Sequence, residues 1–281
     1  MPELPEVETI RRQLEPLING RHIVAAWAFG SAKFTPAHGA VGSTIQSVDR
    51  RGKYLIVALA SHQELVIHLG MTGRLSTFNR SLNPELPTPE ITHSHLRAWW
   101  LLHPPTTDDC AAYLLFHDTR RFGRLRIVPA GDYRTIPTLH NAGPEPLGQN
   151  ISVEHFYRHI RESRVKIKTQ LLSQRLVAGI GNIYADEALW FARIHPEATR
   201  ISKKRAELLL GAIRRVLAQG IENRGTTLRD YRSVDGSTGT NQGALTAYGR
   251  AGQPCFRCTN TLVAAKIDGR SSTWCPHCQH R

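Results

Sequence analysis

The stretch Gly179-Ile180-Gly181-Asn182-Ile183-Tyr184-Ala185-Asp186-Glu187 decides the fold of the second half of this chain. Its glycines end a preceding helix that the apolar spacing predicts to run to about Leu176. Asn182 is placed to cap the next helix, predicted over Ile183–Ala192. Because glycine permits close approach and a helix start offers free N–H groups, the turn suits an anion such as phosphate. The alternative is an ordinary corner between two helices.

Basic residues surround this turn and dominate the chain as a whole. Those that precede it most closely are Arg161, Arg164, Lys166, Lys168 and Arg175. The 281 residues carry a formal net charge of +13. Such an excess indicates a polyanionic partner, and nucleic acid is the commonest one. A solvated basic surface is the alternative.

Helical patterns continue on both sides of the turn. Ser152 can cap a helix with Phe156 and Ile160 on its apolar side, and Ser202 opens another that runs to about Ile221. The preceding segment, 131–150, is rich in proline and glycine and is predicted to be a linker.

The first half of the chain has a β-rich pattern after an amphipathic helix. The helix, over 4–19, places Val7, Ile10, Leu14, Leu17 and Ile18 on one stripe. Short apolar runs then predict strands at Tyr54–Ala58, Leu65–Leu69, Ala112–Phe116 and Arg124–Val128. Residues 76–110 are predicted to be long loops around an edge strand. We therefore predict an α+β protein whose N-terminal domain, 2–130, is a β-sandwich with flanking helices, followed by a helical domain at 151–244.

Four cysteines form a metal-binding pattern near the C-terminus. They are arranged as two Cys-x-x-Cys pairs, Cys255/Cys258 and Cys275/Cys278. Two such pairs complete a tetrahedron around one structural Zn²⁺ with all four positions filled. Two disulfides in a secreted protein are the alternative. We predict a β-hairpin zinc finger over 245–281, with Arg270 near its tip.

The start Met1-Pro2-Glu3 has chemical potential of its own. Removal of the initiator methionine would leave Pro2 with a free secondary amine, which can attack an electrophilic carbon and form an iminium. An α-amine has a pKa near about 8, so more of it is unprotonated at neutral pH than of a lysine. Glu3 could move protons beside it. Most proteins that begin Met-Pro make no such use of the proline.

Three separate motifs together resemble the formamidopyrimidine-DNA glycosylase family. They are the start Pro2–Thr9, the segment 179–187 and the terminal four-cysteine finger, and the likeness runs from Pro2 to Gln279. The start favours this branch over the endonuclease VIII relatives. The resemblance implies a helix-two-turn-helix in the second domain, and a bifunctional glycosylase and lyase that excises 8-oxoguanine and formamidopyrimidines from double-stranded DNA in base excision repair.

The resemblance also implies roles for single residues. Pro2 would be the nucleophile and Glu3 the general acid, while Lys53 and Arg270 would assist β- and δ-elimination. Met71, Arg120 and Phe122 would fill the space left by an everted nucleotide, whose eversion costs a few kcal/mol. The remaining matches to DNA-contacting positions are His93, Lys168, Asn182 and Tyr248. Arg164, from the basic surround of the turn, is also expected to contact DNA.

One segment departs from the family pattern. Residues 226–250 correspond to the loop that closes over an everted base, and its centre, 237–243, is small and polar here. This departure leaves the base preference open. Two other functions are alternatives: a non-catalytic zinc-containing binder of damaged DNA, and an endonuclease VIII-like glycosylase for oxidised pyrimidines.

The sequence also carries expectations about location and assembly. No apolar run approaches the roughly 20 residues that span a bilayer, and the acidic start is unlike a signal peptide. We expect a monomer in the bacterial cytoplasm, associated with the nucleoid and without a membrane partner.

Overall fold

The computed structural model describes residues 1–79, 95–105, 110–148 and 151–281. The chain forms two compact units. The first contains Met1–Pro2, Glu6–His140 and Arg224–Gly239, and the second contains Glu3–Pro5, Asn141–Asn223 and Thr240–Arg281.

Eight strands of the first unit form two antiparallel four-stranded sheets. The strands are β1 (His22–Ala28), β2 (Ile45–Arg51), β3 (Tyr54–Leu59), β4 (Gln63–His68), β5 (Gly73–Asn79), β6 (Leu96–His103), β7 (Ala112–Asp118) and β8 (Arg124–Pro129). One sheet has the order β1-β6-β7-β5 and the other the order β2-β3-β4-β8. A 3₁₀ helix, Thr35–Ala40, follows β1.

The two sheets share one apolar core, which makes this unit a β-sandwich. Trp100 and Leu114 come from the first sheet and Val48 and Leu65 from the second, and all four are almost fully buried. Helix α1 (Leu4–Ile18) adds the predicted stripe to this core. Leu17 is the exception, because it is 42% exposed. The helix passes through Pro16 and ends two residues later.

The four predicted strands are confirmed as β3, β4, β7 and β8. The prediction of loops around an edge strand over 76–110 is wrong where that segment is described. Strand β6 lies between β1 and β7, inside the sheet, and Trp100 is fully buried there. Strand β6 buries Leu96, Ala98, Trp100 and Leu102 on one face, while Arg97 and Trp99 on the other face are only partly buried. The consecutive apolar residues 98–102 hide this alternation in the sequence.

The predicted linker 131–150 is partly structured. Helix α2 (Pro137–His140) follows β8, and Leu139 packs in a small apolar cluster with Val66 and Val128. The stretch Arg224–Gly239 also belongs to the first unit rather than to the helical one. Tyr231 of this stretch is buried in the sandwich core, and this packing attaches the stretch to the first unit.

The second unit is helical and ends in a hairpin. Its elements are α3 (Val153–Glu162), α4 (Ile167–Leu172), α5 (Asn182–Phe191), α6 (Lys203–Glu222), a 3₁₀ helix (Asn241–Ala244), β9 (Val263–Ile267) and β10 (Arg270–Trp274). Ser152 and Ser202 cap α3 and α6 as predicted, since each hydroxyl accepts a backbone N–H from the first turn. Across the described ranges, no helix is both long and apolar enough to span a bilayer.

Candidate active site and metal centre

The Glu3 carboxylate lies at the N-terminus of α5. It accepts backbone N–H groups from Gly181 at 2.6 Å, Ile183 at 2.9 Å and Tyr184 at 3.4 Å, and the residue is 3% exposed. The next residue, Leu4, donates its own N–H to the Gly179 carbonyl at 2.9 Å. The start of the chain is therefore fixed on the predicted turn by four hydrogen bonds.

This contact changes the prediction that Asn182 caps the helix and that its N–H groups hold a phosphate. Gly181 is the capping residue, and Asn182 is the first residue of α5. A helix start attracts an anion because its first N–H groups lack intrahelical partners. Here the anion is the carboxylate of Glu3, which comes from a distant part of the sequence.

The side chain of Asn182 points toward the finger hairpin instead. Its amide Nδ2 donates to the Ser271 carbonyl at 2.8 Å. Its Oδ1 is buried and has no hydrogen-bond partner among the described residues. Tyr248 lies close by and is hydrogen-bonded to the Asn182 side chain. Burial and the negative charge of Glu3 raise the pKa of the Tyr248 hydroxyl, and the hydrogen bond with Asn182 opposes that rise.

Arg270 begins strand β10, directly before Ser271, and its side chain is exposed. The second unit thus brings Glu3, Asn182, Tyr248 and the strand that carries Arg270 together around the start of α5. Arg164 is also exposed and follows the end of α3. The predicted contact His93 lies outside the described residues.

The structure contradicts a direct DNA contact for Lys168. Its side chain is 1% exposed and forms an ion pair with Asp186 at 2.5 Å. The ammonium also donates to the Ser271 carbonyl at 2.9 Å and to the Ser272 hydroxyl at 2.7 Å. Burial lowers the pKa of Lys168 and raises the pKa of Asp186, while the ion pair opposes both shifts. An ammonium with three internal partners is not available to a phosphate.

In the first unit, Pro2 is buried and the preceding Met1 is 53% exposed. Lys53 is 7% exposed and sits in the turn between β2 and β3, where Gly52 has a φ of +57°. Arg50 anchors this turn, since its guanidinium donates to the Gly52 carbonyl at 3.1 Å and to Glu8 at 3.0 Å. A lysine this buried is unlike the usual surface lysine at the start of a strand.

His68 is the titratable neighbour of Lys53. Burial, together with the positive charges of Lys53 and Arg124, lowers the pKa of His68 to about 4. Its Nδ1 lies 3.3 Å from the backbone N–H of Gly70 and accepts it. An accepting Nδ1 requires a neutral ring. The histidine therefore adds no second positive charge beside the lysine at neutral pH.

The structure brings Met71, Arg120 and Phe122 together on the surface of the first unit. Met71 is 41% exposed and Phe122 is 46% exposed, and the Arg120 guanidinium lies 5.0 Å from the Phe122 ring centre. Gly70, with a φ of +63°, packs directly on the backbone of Phe122, where an added Cβ would come within 2.5 Å. The predicted trio thus lies on two neighbouring turns, and the side chains of Met71 and Phe122 face solvent.

Asp118 holds these two turns in place, and the sequence reasoning missed it. Its fully buried carboxylate accepts the Thr72 hydroxyl at 2.5 Å and the Gly123 N–H at 2.7 Å. The Thr72 oxygen in turn accepts the Arg120 N–H at 3.1 Å. An acidic residue at the end of a strand, separated by only Thr119 from two arginines, was the available signal.

A basic cavity adjoins the trio within the first unit. Its volume is about 460 Å³. Its basic lining consists of Arg74, His95, His117, Arg120, Arg229 and Arg232, and Asp230 is the one carboxylate among the described residues that line it. Clustered arginines in a concave surface favour a phosphate or another oxygen-rich group.

The four predicted zinc ligands converge in the second unit. The Sγ atoms of Cys255, Cys258, Cys275 and Cys278 all lie within 4.8 Å of one another. A tetrahedron with Zn–S bonds of about 2.3 Å has sulfur atoms about 3.8 Å apart, so the four atoms fit this ion. No disulfide joins them. N–H groups also point at the sulfurs, as from Trp190 Nε1 to Cys255 at 3.4 Å, and such donors favour thiolates. The prediction of one structural zinc ion is confirmed.

Helix α5 is hydrogen-bonded to the finger and to the segment that leads into it. The Glu187 carboxylate accepts backbone N–H groups of Thr246, Ala247 and Tyr248, each at 2.8 Å. At the other end of the helix, the Arg257 guanidinium donates to the Trp190 carbonyl at 2.5 Å and stacks over its ring. Acidic side chains of one helix therefore hold both the approach to the finger and, through Asp186, its hairpin.

Comparison with known proteins agrees with this architecture over the whole chain. Residues 1–125 match the formamidopyrimidine-DNA glycosylase N-terminal domain, and residues 142–232 match the formamidopyrimidine-DNA glycosylase H2TH domain. Residues 252–281 match a zinc finger found in FPG and IleRS.

Individual relatives extend over nearly the full length. The formamidopyrimidine-DNA glycosylase of Thermus thermophilus is 44% identical over 99% of this chain and 98% of the relative. The one of Herpetosiphon aurantiacus is 40% identical over 99% of this chain and 100% of the relative. The crystal structure of MutM (Fpg) from Thermus thermophilus superposes with a TM-score of 0.86 at 43% identity, covering 99% of this chain and 98% of that one. A Lactococcus lactis Fpg mutant in complex with Fapy-dG containing DNA superposes with a TM-score of 0.86 at 34% identity, covering 100% of both chains.

Proposed function

The chain belongs to the formamidopyrimidine-DNA glycosylase family, and from that premise we propose that it excises oxidised purines and cuts the strand through its own N-terminal proline. It is a DNA glycosylase of base excision repair with one structural zinc ion. The proposed substrates are 8-oxoguanine and formamidopyrimidines in double-stranded DNA. A related Lactococcus lactis enzyme has been crystallised with Fapy-dG containing DNA, which supports that substrate class.

The observation that carries the proposal is the fixed position of the Glu3 carboxylate. Its carboxylate is held by three backbone N–H groups at the start of α5. Because Pro2 precedes Glu3 by one peptide bond, these hydrogen bonds restrict where the proline nitrogen can lie. A nucleophile held in a fixed position gains much of the rate enhancement that orientation can supply.

In the proposed chemistry, the Pro2 amine attacks C1′ of the damaged nucleotide and the bond from C1′ to the base breaks. As the N–C1′ bond forms, the Glu3 carboxylate accepts the proton of the amine, and the base departs with a proton taken from water. Glu3 then returns its proton to O4′ as the sugar ring opens, which leaves an iminium on C1′. Loss of a 2′ proton then expels the 3′ phosphate, and a second elimination expels the 5′ phosphate. Water finally hydrolyses the iminium and releases the amine.

Other residues take supporting roles in this proposal. Lys53 and Arg270 assist the eliminations at the two phosphates. Met71, Arg120 and Phe122 replace part of the stacking that an everted nucleotide loses. The proposed backbone contacts are His93, Arg164, Asn182 and Tyr248. The enzyme would act in the cytoplasm, at the nucleoid.

Borohydride trapping tests the nucleophile. The purified enzyme should form a covalent complex with duplex that contains 8-oxoguanine, and its intact mass should lack the initiator methionine. Pro2→Gly should severely reduce trapping. An enzyme that retains Met1 and still cuts at full rate would overturn the proposal, and binding without any cleavage would favour the non-catalytic binder.

Lesion choice is tested separately on a panel of duplexes. Cleavage of 8-oxoguanine opposite cytosine should exceed cleavage of thymine glycol under the same conditions. The reverse order would favour the endonuclease VIII-like alternative.

A further inference from the structure

The buried contacts of Lys168 have no part in the chemistry above. An ion pair that is 1% exposed on both sides is a costly feature, because each charge loses its hydration. Replacing such a pair by apolar residues is often neutral or stabilising. The pair is therefore a weak source of stability.

The partners of the pair all lie on one strand of the finger. Lys168 donates to the Ser271 carbonyl and the Ser272 hydroxyl, while the second oxygen of Asp186 accepts the Thr273 N–H at 2.9 Å. These three consecutive residues directly follow Arg270 in β10. Side chains of α4 and α5 are thus hydrogen-bonded to the strand at each of the three residues that follow Arg270.

These hydrogen bonds extend to the backbone of Arg270 itself. The Ser272 hydroxyl, which accepts the ammonium of Lys168, lies 3.4 Å from the Arg270 carbonyl and donates to it. The Ser271 carbonyl is shared, because it accepts Asn182 Nδ2 as well as Lys168. The same strand segment is therefore bonded both to the pair and to Asn182.

The turn before Arg270 is fastened independently. Asp268 and Gly269 have φ values of +46° and +78° and form the two-residue connection between β9 and β10. The Asp268 carboxylate binds Lys166 at 3.0 Å and Thr169 at 2.6 Å. This contact is exposed, and exposed pairs contribute little. The buried pair is therefore the stronger constraint on the hairpin.

We propose that Lys168 and Asp186 are positioning residues, whose ion pair holds β10 on α5 and thereby sets where the Arg270 guanidinium lies relative to Asn182. The pair does not contact the substrate in this role. It acts through the strand, as a fixed attachment between the helical part of the second unit and the zinc hairpin. The consequence for the reaction rests on the proposed function, whereas the attachment itself does not.

The first test measures the attachment without any substrate. The double variant Lys168→Met/Asp186→Asn removes both charges and keeps an oxygen for the Thr273 N–H. Amide hydrogen exchange over 270–274 should accelerate about tenfold or more, since local opening becomes easier. The zinc content should not change. The matched control is Lys203→Met, which breaks an exposed ion pair with Glu154 on the same unit. Unchanged exchange in the double variant would overturn the proposal.

The second test measures the reaction on duplex with an abasic site or 8-oxoguanine. The double variant should keep its rate of borohydride trapping, because Pro2 and Glu3 are untouched. The ratio of β,δ-product to β-product should fall roughly tenfold, as a displacement of about 1 Å can cost more than that. Accelerated exchange with an unchanged product ratio would show that the pair does not position Arg270. Failure of the unmodified enzyme to trap DNA would instead overturn the proposed function.

A smaller change covers the case in which the double variant loses zinc or does not fold. Ser272→Ala removes only the hydroxyl between Lys168 and the Arg270 carbonyl. The product ratio should shift in the same direction by a smaller factor, with zinc and trapping retained. A folded Ser272→Ala enzyme with the original ratio would overturn the link to Arg270.

Discussion

Gly181 presents its backbone N–H to the Glu3 carboxylate at 2.6 Å and leaves no space for a side chain there. A Cβ at this position would lie 2.3 Å from the Glu3 carboxylate carbon. The absence of a side chain at one residue thus determines where the acidic side chain of another can sit, although the two are far apart in sequence.

Gly181→Ala should therefore displace Glu3 while leaving the fold largely intact. We expect single-turnover excision of 8-oxoguanine to slow roughly a hundredfold, because small displacements of a reacting group have effects of that size. The control is Gly211→Ala in α6, where an added Cβ meets nothing within 4 Å. That variant should keep full activity and gain about 0.5–1 kcal/mol of stability from helix propensity. Equal rates in the two variants would refute the role assigned to the fixed position of the Glu3 carboxylate.

Phe122→Ala tests the surface trio. Because the ring is 46% exposed, the free energy of unfolding should change by only about 0.5 kcal/mol. Excision should fall roughly tenfold or more, since the ring offsets part of the few kcal/mol that eversion costs. Leu208→Ala, which removes a 54% exposed side chain from α6, is the matched control. Urea unfolding and single-turnover rates measure the two effects, and an unaffected rate in Phe122→Ala would argue against insertion into DNA.

His68 should make stability depend on pH. Its pKa is about 4 in the folded protein and near 6.5 in the unfolded chain. Between these values the unfolded state binds the proton and the folded state does not, so stability falls as the pH drops from about 6.5 to about 4. The loss should reach about 3 kcal/mol at most. Denaturant unfolding at several pH values measures it. His68→Asn should flatten this dependence, and the exposed His62→Asn should leave it unchanged; identical curves would contradict the assignment.

Removal of zinc should unfold the finger and spare the sandwich. Metal binding supplies much of the folding free energy of such small sites. Chelation, or Cys275→Ser, should alter the fluorescence of Trp190 and Trp274, which lie at the finger, and weaken DNA binding by more than about tenfold. Cys110→Ser is the control, because that exposed cysteine is separate from the cluster and its loss should not affect zinc content. Retained DNA affinity after complete zinc loss would contradict the proposed function of the finger.

The accuracy of prediction from sequence differed between elements for identifiable reasons. Strands such as β3 and β8 were predictable because short apolar runs bounded by turn residues are a local property. Strand β6 was not, because its position inside a sheet depends on neighbours that come from other parts of the chain. The same holds for Leu17, which shares the periodicity of its helix but lies at the edge of the buried stripe.

The sequence by itself determined the zinc ligands, since a Cys-x-x-Cys turn places two thiolates regardless of the surrounding fold. It also determined the family, through motifs whose order does not depend on geometry. Only the tertiary structure decided that Lys168 faces inward, since its partner Ser271 lies 103 positions away along the chain. It likewise decided that a carboxylate takes the N–H groups at the start of α5. Burial and hydrogen bonding between distant residues set both outcomes, and neither leaves a periodic trace in the local sequence.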